Sequence, residues 1–409
     1  MLCKNSIRFG LIHEGPGETG YRAPGKQRRT TKQIKESLMH NRLFSPIEIQ
    51  GKTLSNRITM APLYLGYAGE GGAVSALLLE HYRLMAESGA SMIDVENATV
   101  DHPAGSGSNR TIRIDTDENS DGLANLAETI KSRGALASTQ LNHAGRFAGL
   151  GRMLAPSAVD TFGKKAEKLD KKQMAEIRGK FAAAAKRAQS AGFDMAELHG
   201  GTGYLLAQFV SPRTNKREDE YGGKLKNRIR FPMEVFCEVK SAVGDFPVGY
   251  RFMADEWLPD GLKTDESKEF AGQLSEAGAA WLSVVGGTYE SFMLDEVVEK
   301  SKSPGYMADL AGEIKKCCNA PVITAGRIST GDLAEKIIAE EKADLIGLAR
   351  VLLADPRWPE KVRQDRESEI IQCDPDCGDI CMQLVMKAKP AFCTRWTPEK
   401  TGRFKELFE

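Results

Sequence analysis

His199 and Tyr204 are the side chains with the clearest chemical potential in this chain. They stand five positions apart across a Gly-rich turn, at the end of a short apolar run containing Phe193, Met195, Ala196 and Leu198. A titratable ring and a phenol at the carboxyl end of a buried strand occupy the place where α/β folds keep their chemistry. The spacing lets both heads face one cavity. Taken alone, the pair is more simply read as a core histidine and a packed tyrosine; its neighbours change that reading.

A second group is Cys373, Cys377, Cys381 and Cys393, half of the chain's eight cysteines gathered near one end. Clustered thiols in a chain without an export signal argue for a metal site in a reducing compartment, the cytoplasm, rather than for disulfides. A 4Fe–4S cluster and a four-thiolate zinc site both demand such a set. Zinc ribbons usually carry two short Cys-x2-Cys knuckles, whereas three close cysteines and a distant fourth favour the iron–sulfur cube.

These groups need a frame. Short apolar runs at Arg57–Leu63, Ser91–Val100, Ala135–Asn142, Phe193–His199, Pro247–Met253, Trp281–Val285, Pro321–Ala325 and Ala343–Ala349 alternate with amphipathic helical patterns. Met174, Ile177, Phe181, Ala184 and Ala188, for example, mark one helix face. Eight nearly continuous apolar strands, each followed by a helix, read as an α/β fold, a (β/α)8 TIM barrel. The strand ends then carry the site: Pro62 after the first, Gln140 in the third, His199 in the fourth and Arg251 in the fifth. Gly326 and Arg327 follow the seventh strand, and Ala349 and Arg350 the eighth. Gly and Arg at the last two strand ends match the common phosphate cradle of these barrels. Each residue singly has a structural reading, Arg350 paired with Asp355 among them; their succession favours a site.

Equal numbers of Lys plus Arg and Asp plus Glu, 56 each, leave no field of one sign for nucleic acid or an anionic membrane. No apolar run approaches the about 18 residues of a membrane span. Residues 1–40 are read as a disordered extension, 41–366 as the barrel and 367–409 as a cysteine-rich tail. The extension contains GPGETG at Gly15–Gly20, but without a βαβ unit around it the match to a dinucleotide fingerprint is rejected.

Long, ordered stretches carry a resemblance that runs from about Leu43 to Cys393. LFSPIEIQGKTLSNRITMAPL, QLNHAGR, GFDMAELHGGTGYLLAQFVSPRTNKREDEYGG, YRFMADEWLPDGL and PVITAGRI followed by ADLIGLARVLLADP resemble the old yellow enzyme family of FMN-containing (β/α)8 oxidoreductases. The tail resembles the iron–sulfur branch that includes 2,4-dienoyl-CoA reductase and trimethylamine dehydrogenase. The resemblance implies that Pro62, Asn97, Gln140 and Arg251 contact the flavin ring and ribityl chain, and that Gly326, Arg327, Ala349 and Arg350 hold its phosphate. It assigns a 4Fe–4S cluster to Cys373, Cys377, Cys381 and Cys393. It makes His199 the first member of a pair that binds a substrate oxygen, and Tyr204 the phenol that protonates carbon.

The chain departs from the family in three places. Thr202 stands where the family has its second His or Asn, and Tyr289 stands where dienoyl-CoA reductases place a further histidine. Three residues, Asp374, Pro375 and Asp376, separate the first two cysteines where two are usual. The implied activity is reduction, or formation, of a C=C bond conjugated to a carbonyl or acyl-CoA thioester, with electrons exchanged through the cluster. Amine oxidation of the trimethylamine dehydrogenase type and a purely electron-transferring subunit are the alternatives. Larger relatives continue into nucleotide-binding domains, so the expected partner is an electron-donor protein or a nicotinamide-binding subunit; a homo-oligomer is also compatible. Substrate choice is expected in the loops Asp101–Arg113 and Phe147–Lys165.

Overall fold

A computed structural model describes residues 40–373, 375–387 and 389–408; the Gly15–Gly20 motif and the rest of the segment read as an extension lie outside them. Eight parallel strands close into a barrel: β1 Ile58–Met60, β2 Met92–Thr99, β3 Leu136–Asn142, β4 Met195–Gly200, β5 Val248–Asp255, β6 Leu282–Gly286, β7 Val322–Thr324 and β8 Leu345–Leu348. All eight lie within or beside the apolar runs. Their near-complete burial, every residue of β2 and β4 included, explains the continuous apolar signal.

The helices outside the barrel keep one apolar stripe each. Lys171–Ser190 buries Met174, Ile177, Phe181, Ala184 and Ala188, and Asp170 with Gln173 forms a reciprocal capping box at its start. That helix delivers the chain directly into β4 and so aims His199.

A hairpin that the strand pattern does not anticipate, Ile47–Ile49 against Lys52–Leu54, precedes β1. Its Ile49 and Leu54 pack with Met92, Met195, Ala280 and Leu345 at the amino-terminal ends of the strands. One end of the barrel is thereby plugged, and the carboxyl ends remain for chemistry.

The residues after the barrel include two helices, Ile380–Met386 and Pro398–Phe408. They are fastened to the barrel: the Ala391 N–H donates to Leu65 O at 2.9 Å, and the Trp396 indole N–H donates to Leu353 O at 2.6 Å. Among the described residues no helix is long and apolar enough to cross a membrane.

Candidate active site

His199 ends β4 in register with Arg251 of β5. The Gly201 N–H points at His199 Nδ1, 3.3 Å away, which makes Nδ1 the acceptor and leaves the proton on Nε2. Burial, and then the charge of Arg251, hold the imidazole pKa well below its ordinary value. The ring is therefore a neutral N–H donor at neutral pH. Gly200 has to be glycine, because a Cβ there would run into the ring of Tyr250.

The chain then turns through two left-handed residues, Thr202 at φ +56° and Gly203 at φ +87°. For a β-branched residue such as Thr202 that conformation costs about 1–3 kcal/mol, a strain found mainly where function holds the backbone. The turn brings Tyr204 back over the histidine, with ring centroids 4.8 Å apart. The Tyr204 hydroxyl lies 2.7 Å from that of Tyr289, and burial first, then the neighbouring phenol, raise its pKa well above 10.

A cavity of about 520 Å³ opens over these groups and is lined by Asn97, Gln140, His199, Thr202, Tyr204 and Arg251 together with Tyr64, Phe147 and Tyr289. The two loops expected to set substrate choice also line it, through Gly107, Ser108, Thr111, Phe162 and Lys164. Met382, Val385 and Met386 of the helix after the barrel supply a further stretch of wall. Among the described residues no Asp or Glu lines this cavity.

A second cavity, of about 440 Å³, shares Pro62, Leu63 and Arg251 with the first, so the two form one trough across the strand ends. It brings together Gly326, Arg327, Ala349 and Arg350 as the strand ends imply, and adds Lys302. Four cations and no carboxylate line it. Gly326 sits at φ +106°, and a Cβ there would meet the Tyr306 ring at 2.8 Å. Arg350 does not pair with Asp355, which is occupied by Lys361 at 2.6 Å; its Nη1 donates to Asp379 at 2.6 Å. Lys302 lies after a helix rather than at a strand end, so no positional signal marked it. The buried Asn97 Oδ1 has no partner among the described residues, as suits a ring-edge ligand. An apolar and aromatic compartment joined to a cationic cradle fits FMN in size and in donor chemistry.

Beneath the trough lie three buried carboxyls that an apolar-run reading passes over. Glu197 accepts from Gln140 Nε2 at 2.7 Å and from the Trp281 indole at 3.0 Å. Burial raises the pKa of both Asp94 and Glu197, and the charge of Glu197 raises that of Asp94 further, so together they retain a proton. Glu96 accepts the Leu65 N–H at 2.7 Å, and burial pushes its pKa to about 8. Its folded pKa thus lies above the unfolded value of about 4.3. Its contribution to stability is complete below that value and is lost as pH rises through about 8. The melting temperature should accordingly fall between about pH 5 and pH 8 and level off above that, and Glu96→Gln should flatten that fall; an unchanged slope in a thermal melt series would assign it to other groups.

The four tail cysteines converge. All are free thiols, and Cys373, Cys377, Cys381 and Cys393 ring one small cavity with Arg350, Asp379 and Arg395. No three of their sulfurs lie within 4.8 Å of one another. Zinc at about 2.3 Å from four thiolates would hold them about 3.8 Å apart. Arg350 and Cys373 line both this cavity and the cationic one. Of the remaining cysteines, Cys318 is half-buried and packs on the core, whereas Cys317 is exposed.

Barrel, trough and cationic cradle together point to a family of flavin oxidoreductases. The chain belongs to the NADH:flavin oxidoreductase / NADH oxidase family, which matches residues 42–369. It is 42% identical over 340 residues to an NADH oxidase of Thermoanaerobacter brockii, an alignment covering 81% of this chain and 52% of that protein. Among solved structures, 2-naphthoyl-CoA reductase in complex with 2-naphthoyl-CoA superposes with a TM-score of 0.84 at 26% identity, over 90% of this chain and 58% of the other. Histamine dehydrogenase from Rhizobium sp. 4-9 superposes with a TM-score of 0.77 at 30% identity, over 87% and 52%. The chain thus spans about half the length of these three relatives.

Proposed function

We propose that this protein reduces, or in reverse forms, a C=C bond conjugated to a carbonyl or thioester. The observation that carries this reading is the meeting of a neutral imidazole N–H, a hydroxyl and a buried phenol in one cavity without carboxylates. FMN, held by the residues of the trough, would supply the hydride equivalent. His199 Nε2–H and the Thr202 hydroxyl then face the substrate oxygen and stabilise the negative charge it gains. The Tyr204 phenol gives its proton to the α-carbon as a general acid. Arg251 would lend the flavin a cation, Gln140 would hydrogen-bond its pyrimidine edge, and Asn97 would contact the ring or ribityl chain.

Amine dehydrogenation is the second reading, supported by the likeness to histamine dehydrogenase and by the aromatic rings of Tyr64, Phe147, Tyr204 and Tyr289. A cavity lined by Lys164 and, among the described residues, by no carboxylate favours a neutral or anionic substrate over a cationic amine. Anaerobic stopped-flow with enones, enoyl thioesters and methylated amines decides between them. Oxidation of the reduced protein by unsaturated carbonyls is the expected result, whereas reduction of the oxidised protein by amines would select the alternative.

A 4Fe–4S cluster on Cys373, Cys377, Cys381 and Cys393 supplies one-electron exchange. A one-electron centre beside a flavin calls for a partner, either a nicotinamide-binding subunit or a small electron-carrier protein. The cradle reading has its own test. Arg327→Ala and Arg350→Ala should each weaken FMN binding by about 10- to 100-fold, the loss expected for one charge-assisted hydrogen bond. Quenching of flavin fluorescence on titrating apoprotein measures it, and unchanged affinity in both variants would move the phosphate elsewhere.

A further inference from the structure

We infer that Tyr289 is a positioning residue that resupplies the proton Tyr204 gives to carbon; this rests on the reading of Tyr204 as the proton donor. Among the described residues the Tyr204 hydroxyl has one hydrogen-bond partner, the Tyr289 hydroxyl at 2.7 Å. Tyr204 is 8% exposed and Tyr289 41%: the ring of Tyr289 reaches the cavity mouth while its hydroxyl turns inward onto Tyr204. A tyrosinate left alone in a dry site is costly, because burial removes the water that would stabilise its charge. The His199 ring meets Tyr204 edge-on, at 71° between planes, and offers no such donor in this arrangement. Tyr289 does.

The geometry around Tyr289 is built to hold it there. The Thr288 N–H donates to Ser291 Oγ at 2.7 Å, and the Ser291 N–H donates to Thr288 Oγ1 at 3.3 Å, locking the turn after β6. Phe147 lies edge-on to both phenols, with centroids 5.1 Å from Tyr289 and 6.2 Å from Tyr204. At Gly203 a Cβ would stand 3.1 Å from Phe147 and 3.4 Å from Thr288, so the close approach of the two turns depends on a residue without a side chain.

The proton balance is closed. The Tyr204 O–H bond breaks as the α-carbon–hydrogen bond forms from the enolate electron pair. The Tyr204 oxygen then takes the Tyr289 proton, and Tyr289 takes one from water at the cavity mouth. No oxidant or reductant beyond the flavin is needed.

The test uses holoprotein reduced anaerobically with dithionite and mixed with 2-cyclohexen-1-one in H2O–D2O mixtures. Two protons in flight predict a bowed dependence of the rate on deuterium fraction for the natural protein. Tyr289→Phe should slow flavin oxidation about 10- to 100-fold and straighten the plot, while flavin content and dithionite reduction stay unchanged. Tyr289→His, which restores a proton-carrying side chain, should recover much of the rate and the curvature. A straight plot for the natural protein, or a Tyr289→Phe rate equal to the natural one, overturns the relay. Tyr204→Phe run in parallel separates the two claims. If it alone is slow, only the relay falls; if it is as fast as the natural protein, the donor lies elsewhere and both fall.

Discussion

Tyr204→Phe should slow oxidation of the reduced protein by an enone by about 10²- to 10⁴-fold, the range for losing a positioned general acid. Reduction of the flavin by dithionite should be untouched, because the phenol takes no part in that half-reaction. The substitution removes one oxygen from a ring that is almost wholly buried and whose shape contacts with His199 and Phe147 survive in phenylalanine. Loss of fold is therefore not the expected cause. The orphaned Tyr289 hydroxyl still lines the open cavity, where water can replace its lost partner. Binding of a phenolate ligand, which mimics the enolate oxygen held by His199 and Thr202, should also persist. If enone oxidation is unchanged while phenolate binding is intact, carbon receives its proton from another group in the cavity.

Cys377→Ser should abolish the visible absorption of the proposed iron–sulfur centre and with it any turnover linked to the proposed electron-carrier partner. The fold adds a second consequence. Cys381 lies in the first turn of the helix Ile380–Met386, and Met382, Val385 and Met386 of that helix wall the substrate cavity. A cluster that pins Cys381 also pins the wall. Its loss should weaken phenolate binding by about tenfold, or ~1.4 kcal/mol, less than the ~1.5–3 kcal/mol for burying one Met or Val side chain. Chemically reduced FMN should still reduce the enone, since none of the groups at His199, Thr202 or Tyr204 is held by the tail. Metal analysis, absorption spectra and a ligand titration on the same preparation measure the three effects. Unchanged iron content in Cys377→Ser would remove Cys377 from the ligand set, and unchanged ligand affinity after cluster loss would show that the helix is held by its own packing.

The barrel was legible in the sequence because parallel strands covered on both faces must be apolar along their whole length. Eight such runs, spaced by helical stripes like that of Met174, Ile177 and Phe181, admit few other architectures. The same rule places the chemistry at strand ends, so Gln140, His199, Arg251, Arg327 and Arg350 could be singled out before any contact was known. The resemblance to old yellow enzymes added their assigned roles, and the family match supports the class of chemistry.

The three-dimensional contacts decided the rest. Asp94, Glu96 and Glu197 sit inside strands, where alternation in a fully buried run does not tell barrel interior from helix side, and their raised pKa values follow first from burial, with the charge of Glu197 adding to that of Asp94. Lys302 joins the anion cradle from beyond a helix. The pairing of Arg350 with Asp379 rather than Asp355 depends on which carboxylate Lys361 has already taken. Tyr204 and Tyr289 are 85 residues apart, and only closure of the barrel brings their hydroxyls into contact. Sequence by itself determined the strands, the helices and the residues at their ends, because those follow from local periodicity and burial. Which of those residues share a proton, a cation or a wall was decided by tertiary structure, because hydrogen bonds and charges act over a few ångströms of space rather than along the chain.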